Sequence, residues 1–376
     1  MKLISEPVLV PLSHHEVSEV EGLLISHIPV ILAHSIREKS VRVNVISSAM
    51  KYTDRIYARF DITEPVLIEL IESPPLQRLK DIDQAGYFEP WFPGTAYSRF
   101  EHSMGVFLLL RKVDAPLPEQ IAGLIHDVSH SAFSHCIDYA LDQGSEKNHS
   151  HQDNVFDEFV RNSDIPAILI KHDIDVDYIL DDAHFPLKEN ELPDLCADRI
   201  DYSLRTAMVH GLINGNDANT LLASLQAIED EWVFARFPAA KQYADLFRRV
   251  NGEYYSDFSS AVMFRTVGDV LRHGLKQQYI TGDDLYTTDK LVLSKITSHL
   301  TDDVTLQTLW DRMNNKIKAE NNPADYHAHV YCKSRAVDPL CLVNGEGKHV
   351  SDVDLGWKHI VQQELRPKEY FIKFDK

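Results

Sequence analysis

Apolar residues repeat at helical spacing along most of this chain. The first clear case places four of them on one face of a helix: Val66, Leu67, Leu70 and Ile71. Thr63 is its predicted N-cap, Pro65 falls in its first turn, and Ser73-Pro74-Pro75 ends it and starts another helix. Ser98 and Glu101 form a capping box ahead of the next apolar run. Helical patterns continue to about residue 300, so we predict a mainly α protein.

The two ends of the chain show other patterns. Residues 1–49 mix short β-branched runs with histidines and keep no helical period, which predicts an N-terminal appendage, with Met50 as an alternative start. After Asn321-Asn322-Pro323, short β-rich pieces follow at 329–332, 340–343 and 370–374, and Asn344-Gly345 is a turn signal. We therefore predict three parts: an appendage of unknown role at 1–49, a helical domain at 50–300 and a small α+β region at 301–376.

Charge and composition limit the classes of partner that we expect. The 376 residues include 38 Lys and Arg against 57 Asp and Glu, and the net charge of −19 argues against general nucleic-acid binding and an anionic-membrane anchor. No stretch approaches the ~20 apolar residues of a membrane span, and the N-terminus has no secretory signal. Four widely spaced cysteines without a C-x-x-C pair favour a reducing, cytoplasmic location. A small molecule is the expected partner.

Histidines cluster where the helical signals are strongest. Six of the 19 fall between residues 102 and 151. Two begin predicted apolar stripes: His102 with Val106, Leu109 and Val113, and His126 with His130, Phe133 and Ile137. Asp198 lies on a third stripe, with Leu195 and Tyr202. A lone core histidine is more often a hydrogen-bonded packing residue than a ligand, so the set matters more than any member.

Together, these stripes predict a metal site. The predicted ligands are two imidazoles and two carboxylates from three helices: His102, His126, Asp127 and Asp198. They form an N2O2 set for a divalent ion. Mn²⁺, Mg²⁺, Fe²⁺, Ni²⁺, Co²⁺ or Zn²⁺ would suit it to different degrees. Such an ion lowers the pKa of its water and neutralises charge that develops on phosphorus.

Three segments resemble motifs of the HD-domain phosphohydrolases. They read RFEHSMGV at 99–106, HDVSHSAFSH at 126–135 and DRIDY at 198–202. The likeness, over about residues 55–300, is to the deoxynucleoside triphosphate triphosphohydrolase branch, the dGTPase and SAM-and-HD-domain enzymes. It implies an HD-domain helical bundle at 50–300 with a smaller α+β C-terminal part, and assembly into a homo-oligomer.

The resemblance also implies roles for single residues. It implies that His102, His126, Asp127 and Asp198 are the metal ligands. It also implies that His130, His135 and His151 lie near the scissile bond and that Asp138 supports this histidine network. Substrate contacts are implied for Arg99 at the α-phosphate, Gln84 at the sugar 3′-hydroxyl, Tyr202 along the sugar, and Arg78, Lys80 and Arg199 around the phosphates.

Three positions depart from the family pattern. Gln152 stands where an acidic residue is common, Ala85 replaces a bulkier residue, and Thr206 replaces an aspartate that contacts the sugar. These departures leave the base and sugar preference open.

Several other residues have structural interpretations. Asp201 and Arg205 have the spacing of a helix salt bridge. Tyr254 and Tyr255 are interpreted first as core packing. Surface positions are predicted for three histidines: His14, His15 and His149.

The main functional prediction is metal-dependent hydrolysis of (deoxy)nucleoside triphosphates to nucleoside and triphosphate, by attack of a metal-activated water on the α-phosphorus. A second is an HD-superfamily nucleotidase or phosphodiesterase that acts on a monophosphate, a cyclic nucleotide or an alarmone. A third is a non-catalytic nucleotide sensor, which only Gln152 favours. A product analysis would separate the three.

Overall fold

The computed structural model describes residues 49–141 and 145–375. The predicted appendage, with His14 and His15, therefore lies outside the described residues apart from Ala49. The α-helices are α1 Pro65–Glu72, α2 Pro74–Arg78, α3 Arg99–Lys112, α4 Leu117–Ile125, α5 His151–Arg161, α6 Ile165–Lys171, α7 Val176–Leu180, α8 Ala197–Val209, α9 Gly215–Ser224, α10 Phe237–Val250, α11 Phe258–Lys276, α12 Asp289–Thr297, α13 Val304–Met313, α14 Val350–Val353 and α15 Leu355–Glu364. Short 3₁₀ helices cover Leu79–Asp81, Ser134–Tyr139, Asp182–His184 and Asp283–Tyr286, and a π-helical turn covers Asn251–Tyr255. Within the described ranges, no helix combines the length and apolar character that crossing a bilayer requires.

The strands form three small sheets. They are β1 Met50–Asp54, β2 Ala58–Ile62, β3 Leu225–Ile228, β4 Glu231–Phe234, β5 Ala319–Asn321, β6 Ala328–Cys332, β7 Leu340–Val343, β8 Glu346–His349 and β9 Lys368–Phe374. β1 and β2 form an antiparallel hairpin, β3-β4-β7-β8 form a sheet in that order, and β9 lies between β5 and β6. The mainly α class with a smaller α+β C-terminal part is confirmed.

The predicted C-terminal strands are confirmed as β6, β7 and β9. Asn344 and Gly345 join β7 to β8 with positive φ angles of 54° and 84°, as a tight hairpin turn requires. β4 pairs in parallel with β7, Val233 opposite Leu340, so one sheet contains strands from both sides of residue 300. The boundary between residues 300 and 301 stays a prediction.

Two helix starts can be compared with the sequence. The capping box is confirmed, because Ser98 Oγ accepts from the Glu101 N–H while Glu101 accepts from the Ser98 N–H. The predicted N-cap Thr63 is wrong by one residue, since Glu64 takes that place and Pro65 is the first helical residue. Ser73 separates α1 from α2, as predicted.

α3 is the central helix of the fold. All residues from His102 to Leu110 are buried, so the predicted stripe is a helix covered on all sides. One apolar cluster surrounds α3, α4, α8 and α10. A second one joins the Ser134–Tyr139 helix to α11, α13 and the β6-β9 pair. The three motifs at 99–106, 126–135 and 198–202 therefore lie on α3, after α4 and on α8.

The predicted stripe from His126 to Ile137 is not one helix. α4 ends at Ile125, with His126 as its C-cap. Phe133 and Ser134 then have φ angles of +60° and +49°, which turn the chain into the Ser134–Tyr139 helix. Equal apolar spacing on two separate pieces produced the false helical period.

Gly268 lets α11 pack directly on the Ser134–Tyr139 helix. A Cβ at Gly268 would lie 2.8 Å from both the Cβ and the carbonyl oxygen of Tyr139. We expect Gly268→Ala to lower the free energy of unfolding by about 1–3 kcal/mol, because overpacking outweighs alanine's better helix propensity. Urea denaturation measures this change in the free energy of unfolding. Gly282→Ala, with no atom within 4 Å of its Cβ, is the control, and equal stability of both variants would contradict the expectation.

Candidate metal centre and substrate cavity

His102 lies at the centre of the site. It is fully buried on α3, and its Nδ1 is 2.7 Å from Asp201 Oδ2 while its Nε2 is 2.8 Å from Asp198 Oδ1. Both aspartates lie on α8, which packs against α3. Although burial opposes it, these two carboxylates raise the pKa of His102 to about 9. The position therefore favours a positive charge.

His126 and Asp127 reach the same point from the end of α4. His126 Nε2 lies 3.2 Å from His102 Nε2, 3.4 Å from Asp127 Oδ1 and 3.5 Å from Asp198 Oδ1. Asp127 Oδ2 lies 3.8 Å from His102 Nε2 and accepts a 2.8 Å hydrogen bond from Arg99. Burial opposes ionisation, yet the Arg99 guanidinium holds the pKa of Asp127 well below its usual range. The four predicted ligand residues thus converge.

The donor set fits a divalent cation. His126 Nδ1 is 2.8 Å from the Gly123 carbonyl oxygen, so Nδ1 carries the proton and Nε2 presents a lone pair. Asp201 fixes the His102 ring from its other side in the same way. Two imidazole nitrogens and two carboxylates then face one point, an arrangement that Mn²⁺, Mg²⁺, Fe²⁺, Ni²⁺, Co²⁺ or Zn²⁺ can satisfy.

A buried ionic network supports His102. Arg205 is fully buried and binds Asp201, at 2.8 Å and 3.1 Å, and Asp54 at 3.2 Å. Gly105 on α3 is essential to this packing, because a Cβ there would overlap the Asp201 carboxylate and the Arg205 guanidinium. The predicted Asp201–Arg205 helix salt bridge is confirmed, and its burial makes it part of the support for His102.

Two predicted catalytic histidines follow in a row from Asp127. His130 Nε2 is 3.3 Å from Asp127 Oδ1, and the His130 and His135 rings meet edge to face at 5.0 Å between centroids. Burial and the Arg99 charge lower the pKa of His130 to about 4, and burial with the His130 charge lowers that of His135 well below its usual value. Both imidazoles are therefore neutral near pH 7.

Asp138 lies beside His135, on the side of the ring that carries Nδ1. Its Oδ2 lies 3.6 Å from His135 Nδ1, and its Oδ1 accepts from the backbone N–H groups of Ser145 and His151. The His151 side chain turns away, with Nε2 3.0 Å from the Tyr286 hydroxyl. Asp138 and His151 do not line the cavity described next.

A cavity of about 450 Å³ opens onto the metal-ligand cluster. Nine of the predicted site residues line it: Gln84, Arg99, His126, Asp127, His130, His135, Asp198, Arg199 and Tyr202. Aromatic side chains form much of the remaining wall: Phe88, Tyr97, Phe156, Tyr254, Tyr255 and Phe264. A site of this size and mixed character accommodates a small organic molecule next to the cluster.

Comparison with known proteins identifies the family of this chain. Residues 99–206 match the HD domain family. Over 296 residues, 78% of this chain and 89% of its relative, the chain is 33% identical to the uncharacterized protein YdhJ of Bacillus subtilis. It is 39% identical over 174 residues to the metal-dependent phosphohydrolase cns2 of Cordyceps militaris.

The chain belongs to the HD-domain phosphohydrolases. HD-domain phosphohydrolases of this metal-dependent kind use a divalent ion. Ligand atoms of His102, His126 and Asp127 lie close enough together to hold one, and Asp198 Oδ1 lies 2.8 Å from His102 Nε2. Further matches are partial. The chain spans half of cns2 and, at 37% identity over 117 residues, one fifth of the bovine deoxynucleoside triphosphate triphosphohydrolase SAMHD1.

The fold is shared with solved structures. A crystal structure of a phosphohydrolase from Bacteroides thetaiotaomicron superposes with a TM-score of 0.64 at 19% sequence identity. The match covers 87% of this HD phosphohydrolase and the whole of the other chain.

Two predicted phosphate-binding residues lie outside the cavity of this HD phosphohydrolase. The Arg78 guanidinium donates to the carbonyl oxygens of Val128, His130 and Thr287, at 2.6, 2.8 and 3.0 Å. It therefore holds the turn that follows the Asp127 ligand position. Lys80 donates to Gln77 Oε1 and lies over the Phe100 ring. Arg78 and Lys80 have partners elsewhere, so a substrate contact for them stays a prediction.

Sequence reasoning missed several cavity residues of this HD phosphohydrolase, among them one histidine and two cations of the C-terminal part. His149 was predicted at the surface, but it is 4% exposed, stacks on His135 at 4.8 Å and lies 3.2 Å from the Tyr139 hydroxyl, so the prediction is wrong. Lys333 and Arg335, from the segment after β6, also line the cavity. No motif marks them, although alternation from Cys332 to Ala336 hinted at an extended segment with a polar face.

The three departures from the family pattern take different places. Ala85 lines the cavity. Thr206 is buried beneath two tyrosines, since its Oγ1 lies 3.0 Å from the Tyr97 hydroxyl and 2.5 Å from the Tyr255 hydroxyl. Gln152 donates to the His126 carbonyl oxygen and to Ser129 Oγ, at 2.9 and 3.1 Å. Gln152 thus stabilises the turn that carries His126 and Asp127, two of the predicted metal ligands.

Proposed function

We propose that this HD-domain phosphohydrolase hydrolyses (deoxy)nucleoside triphosphates to nucleoside and triphosphate. One observation supports this most: the metal-ligand cluster, positive side chains and an aromatic wall share a single cavity of about 450 Å³. Aromatic rings suit a base and sugar, and arginines suit phosphates. The partial match to the bovine triphosphohydrolase supports the same substrate class.

The residues around the cluster suggest how the reaction is organised. His102, His126, Asp127 and Asp198 would hold the divalent ion, which when bound polarises a phosphoryl oxygen and activates water. Arg99 donates to Asp127, to Ser134 Oγ at 2.9 Å and to the Gln84 carbonyl oxygen at 2.8 Å. These bonds keep its positive charge fixed at the cavity wall, where charge develops on the reacting phosphate.

His135 is the residue we assign to proton handling. Its Nδ1 faces Asp138, which leaves Nε2 as the ring atom for the cavity side. The neutral ring can orient a water or the leaving oxygen through Nε2, and the Asp138 carboxylate stabilises the imidazolium if a proton arrives. His130 lies between Asp127 and His135 and contacts both, so it helps to fix the position of the His135 ring.

Product analysis tests the proposal. The purified full chain is incubated with dNTPs, NTPs, NMPs and cyclic nucleotides, with Mn²⁺ or Mg²⁺, and products are resolved by ion-pair chromatography. We expect nucleoside and triphosphate from a triphosphate substrate. In H₂¹⁸O the label should enter the triphosphate, because water adds to the α-phosphorus while the bond to the 5′ oxygen breaks.

Other products would support the alternatives. Orthophosphate from a monophosphate, or an opened cyclic nucleotide, would replace the proposal by the nucleotidase or phosphodiesterase function. Nucleotide binding without turnover would indicate a sensor. The same panel reports the base and sugar preference, to which Ala85 at the cavity wall contributes.

Three further properties belong to this proposal. We propose that Mn²⁺ or Mg²⁺ is the working ion, that the protein is a homo-oligomer and that it acts in the cytoplasm. Its four cysteines are buried and free, which suits a reducing compartment.

A further inference from the structure

Two positive side chains from the C-terminal part face the cavity without a partner. Lys333 and Arg335 line it, and neither side chain forms an ion pair or a hydrogen bond within the part of the chain that the structure describes. The other cations of the cavity wall are paired: Arg99 with Asp127, Lys188 with Asp182 and Arg199 with Glu189. Lys333 and Arg335 are therefore the positive charges still available to a ligand.

The segment that carries them is held in place. Exposure alternates from Cys332 to Ala336, so Lys333 and Arg335 point to the same side of an extended chain while Ser334 is buried. The fully buried Asn251 side chain donates to Ser334 Oγ at 2.9 Å and accepts from the Arg335 N–H at 2.9 Å. The π-helical turn that Asn251 begins also carries Tyr254 and Tyr255 of the cavity wall.

The electrostatics of the pair indicate an anion site. Burial and the neighbouring Arg335 charge lower the pKa of Lys333 to about 8, against the opposing effects of Asp153 and Glu189. Burial and the charges of His130, Arg99 and Arg335 also lower the pKa of His135, so the Arg335 charge is felt at the cavity wall. Two like charges kept close together in a partly buried wall are stabilised when a multivalent anion binds between or beside them.

We propose that Lys333 and Arg335 bind the terminal phosphates of the nucleoside triphosphate. This inference rests on the proposed function. A triphosphate carries about two more negative charges than a monophosphate. The metal cluster and Arg99 serve the reacting phosphate, while Arg199 and Lys188 are already paired. Lys333 and Arg335 thus supply the charge that distinguishes a triphosphate substrate from a monophosphate.

Calorimetric titration of inorganic triphosphate and orthophosphate into the full chain, with Mg²⁺ present, tests this site. We expect the wild type to prefer triphosphate, and Lys333→Met and Arg335→Met each to weaken triphosphate binding about tenfold or more. Orthophosphate binding should stay within about twofold. With a nucleoside triphosphate substrate, KM should rise more than kcat falls.

Matched variants distinguish an effect of the lost charge on triphosphate binding from an effect on folding. Lys358→Met removes one positive charge from the exposed face of α15 and should bind triphosphate like the wild type. Arg335→Lys keeps the charge and should retain most of the affinity. Melting temperatures verify that the variants fold. Wild-type triphosphate affinity in both methionine variants would overturn the site.

The two proposals can fail separately. If the protein released no triphosphate from nucleotides, the proposed function would fall. Lost affinity for inorganic triphosphate in Lys333→Met and Arg335→Met would still support the anion site. The reverse combination, triphosphohydrolase activity that neither variant changes, would overturn the site alone.

Discussion

Asp198→Ala should remove the bound metal and lower kcat/KM about a thousandfold or more, the equivalent of roughly 4 kcal/mol of lost transition-state stabilisation. Asp198 Oδ1 is 2.8 Å from His102 Nε2 and 3.5 Å from His126 Nε2, so its removal takes away one of the four proposed ligands. Among residues 49–141 and 145–375, no arginine forms an ion pair with Asp198, whereas the loss of Asp127 would leave Arg99 buried without its carboxylate. Metal content by mass spectrometry and steady-state kinetics measure the two effects.

A second carboxylate in the same cavity provides the control for Asp198. Asp153 lines the cavity but is not one of the four converging residues. Asp153→Ala should therefore keep the metal stoichiometry of the wild type while changing the net charge equally. An Asp198→Ala protein that still binds one ion with unchanged affinity would show that the cluster is not the metal site.

Asp201→Ala should cost about 3–5 kcal/mol of unfolding free energy, because it leaves the Arg205 guanidinium buried with only Asp54 at 3.2 Å. Arg205 is fully buried, so its guanidinium has no solvent contact that would offset the lost carboxylate. Urea denaturation of the metal-free protein, followed by circular dichroism, measures the loss.

Metal affinity, measured on Asp201→Asn, should fall about 10- to 100-fold, because Asp201 orients the His102 ring.

The same helical spacing occurs at the surface and offers a matched comparison. Lys241 and Asp245 on α10 are also four residues apart, at 2.6 Å, but the Asp245 side chain is half exposed. Asp245→Ala should change stability by less than about 1 kcal/mol. Similar losses for Asp201→Ala and Asp245→Ala would mean that burial does not give the Asp201–Arg205 pair its importance.

Local signals in the sequence predicted much of the fold and the residues of the site. The capping box at Ser98 and Glu101 fixes the start of α3, so it also fixes where His102 lies on the helix. The stripe around Asp198 correctly placed a carboxylate on α8. These features depend on neighbouring residues, which a single sequence displays directly.

Long-range features were harder to predict. The β3-β4 hairpin falls inside a region of helical patterns, and its pairing with β7 depends on residues more than 100 positions away. His149 is buried only because α11 and the Ser134–Tyr139 helix close over it. Lys333 has no local motif, since its position depends on the hydrogen bond from Asn251 to the next residue, Ser334.

The support of His102 from the far side of its ring has a consequence for how the enzyme acquires its metal. Asp201 and Arg205 orient the imidazole through groups of the chain itself, so the ligand geometry is set by folding. In small zinc domains, by contrast, the ion must be present for the chain to fold. We therefore expect that one ion can be exchanged for another in the folded protein. The metal found in a purified sample then reflects the most recent supply, and activities should be compared only after stripping and defined reloading.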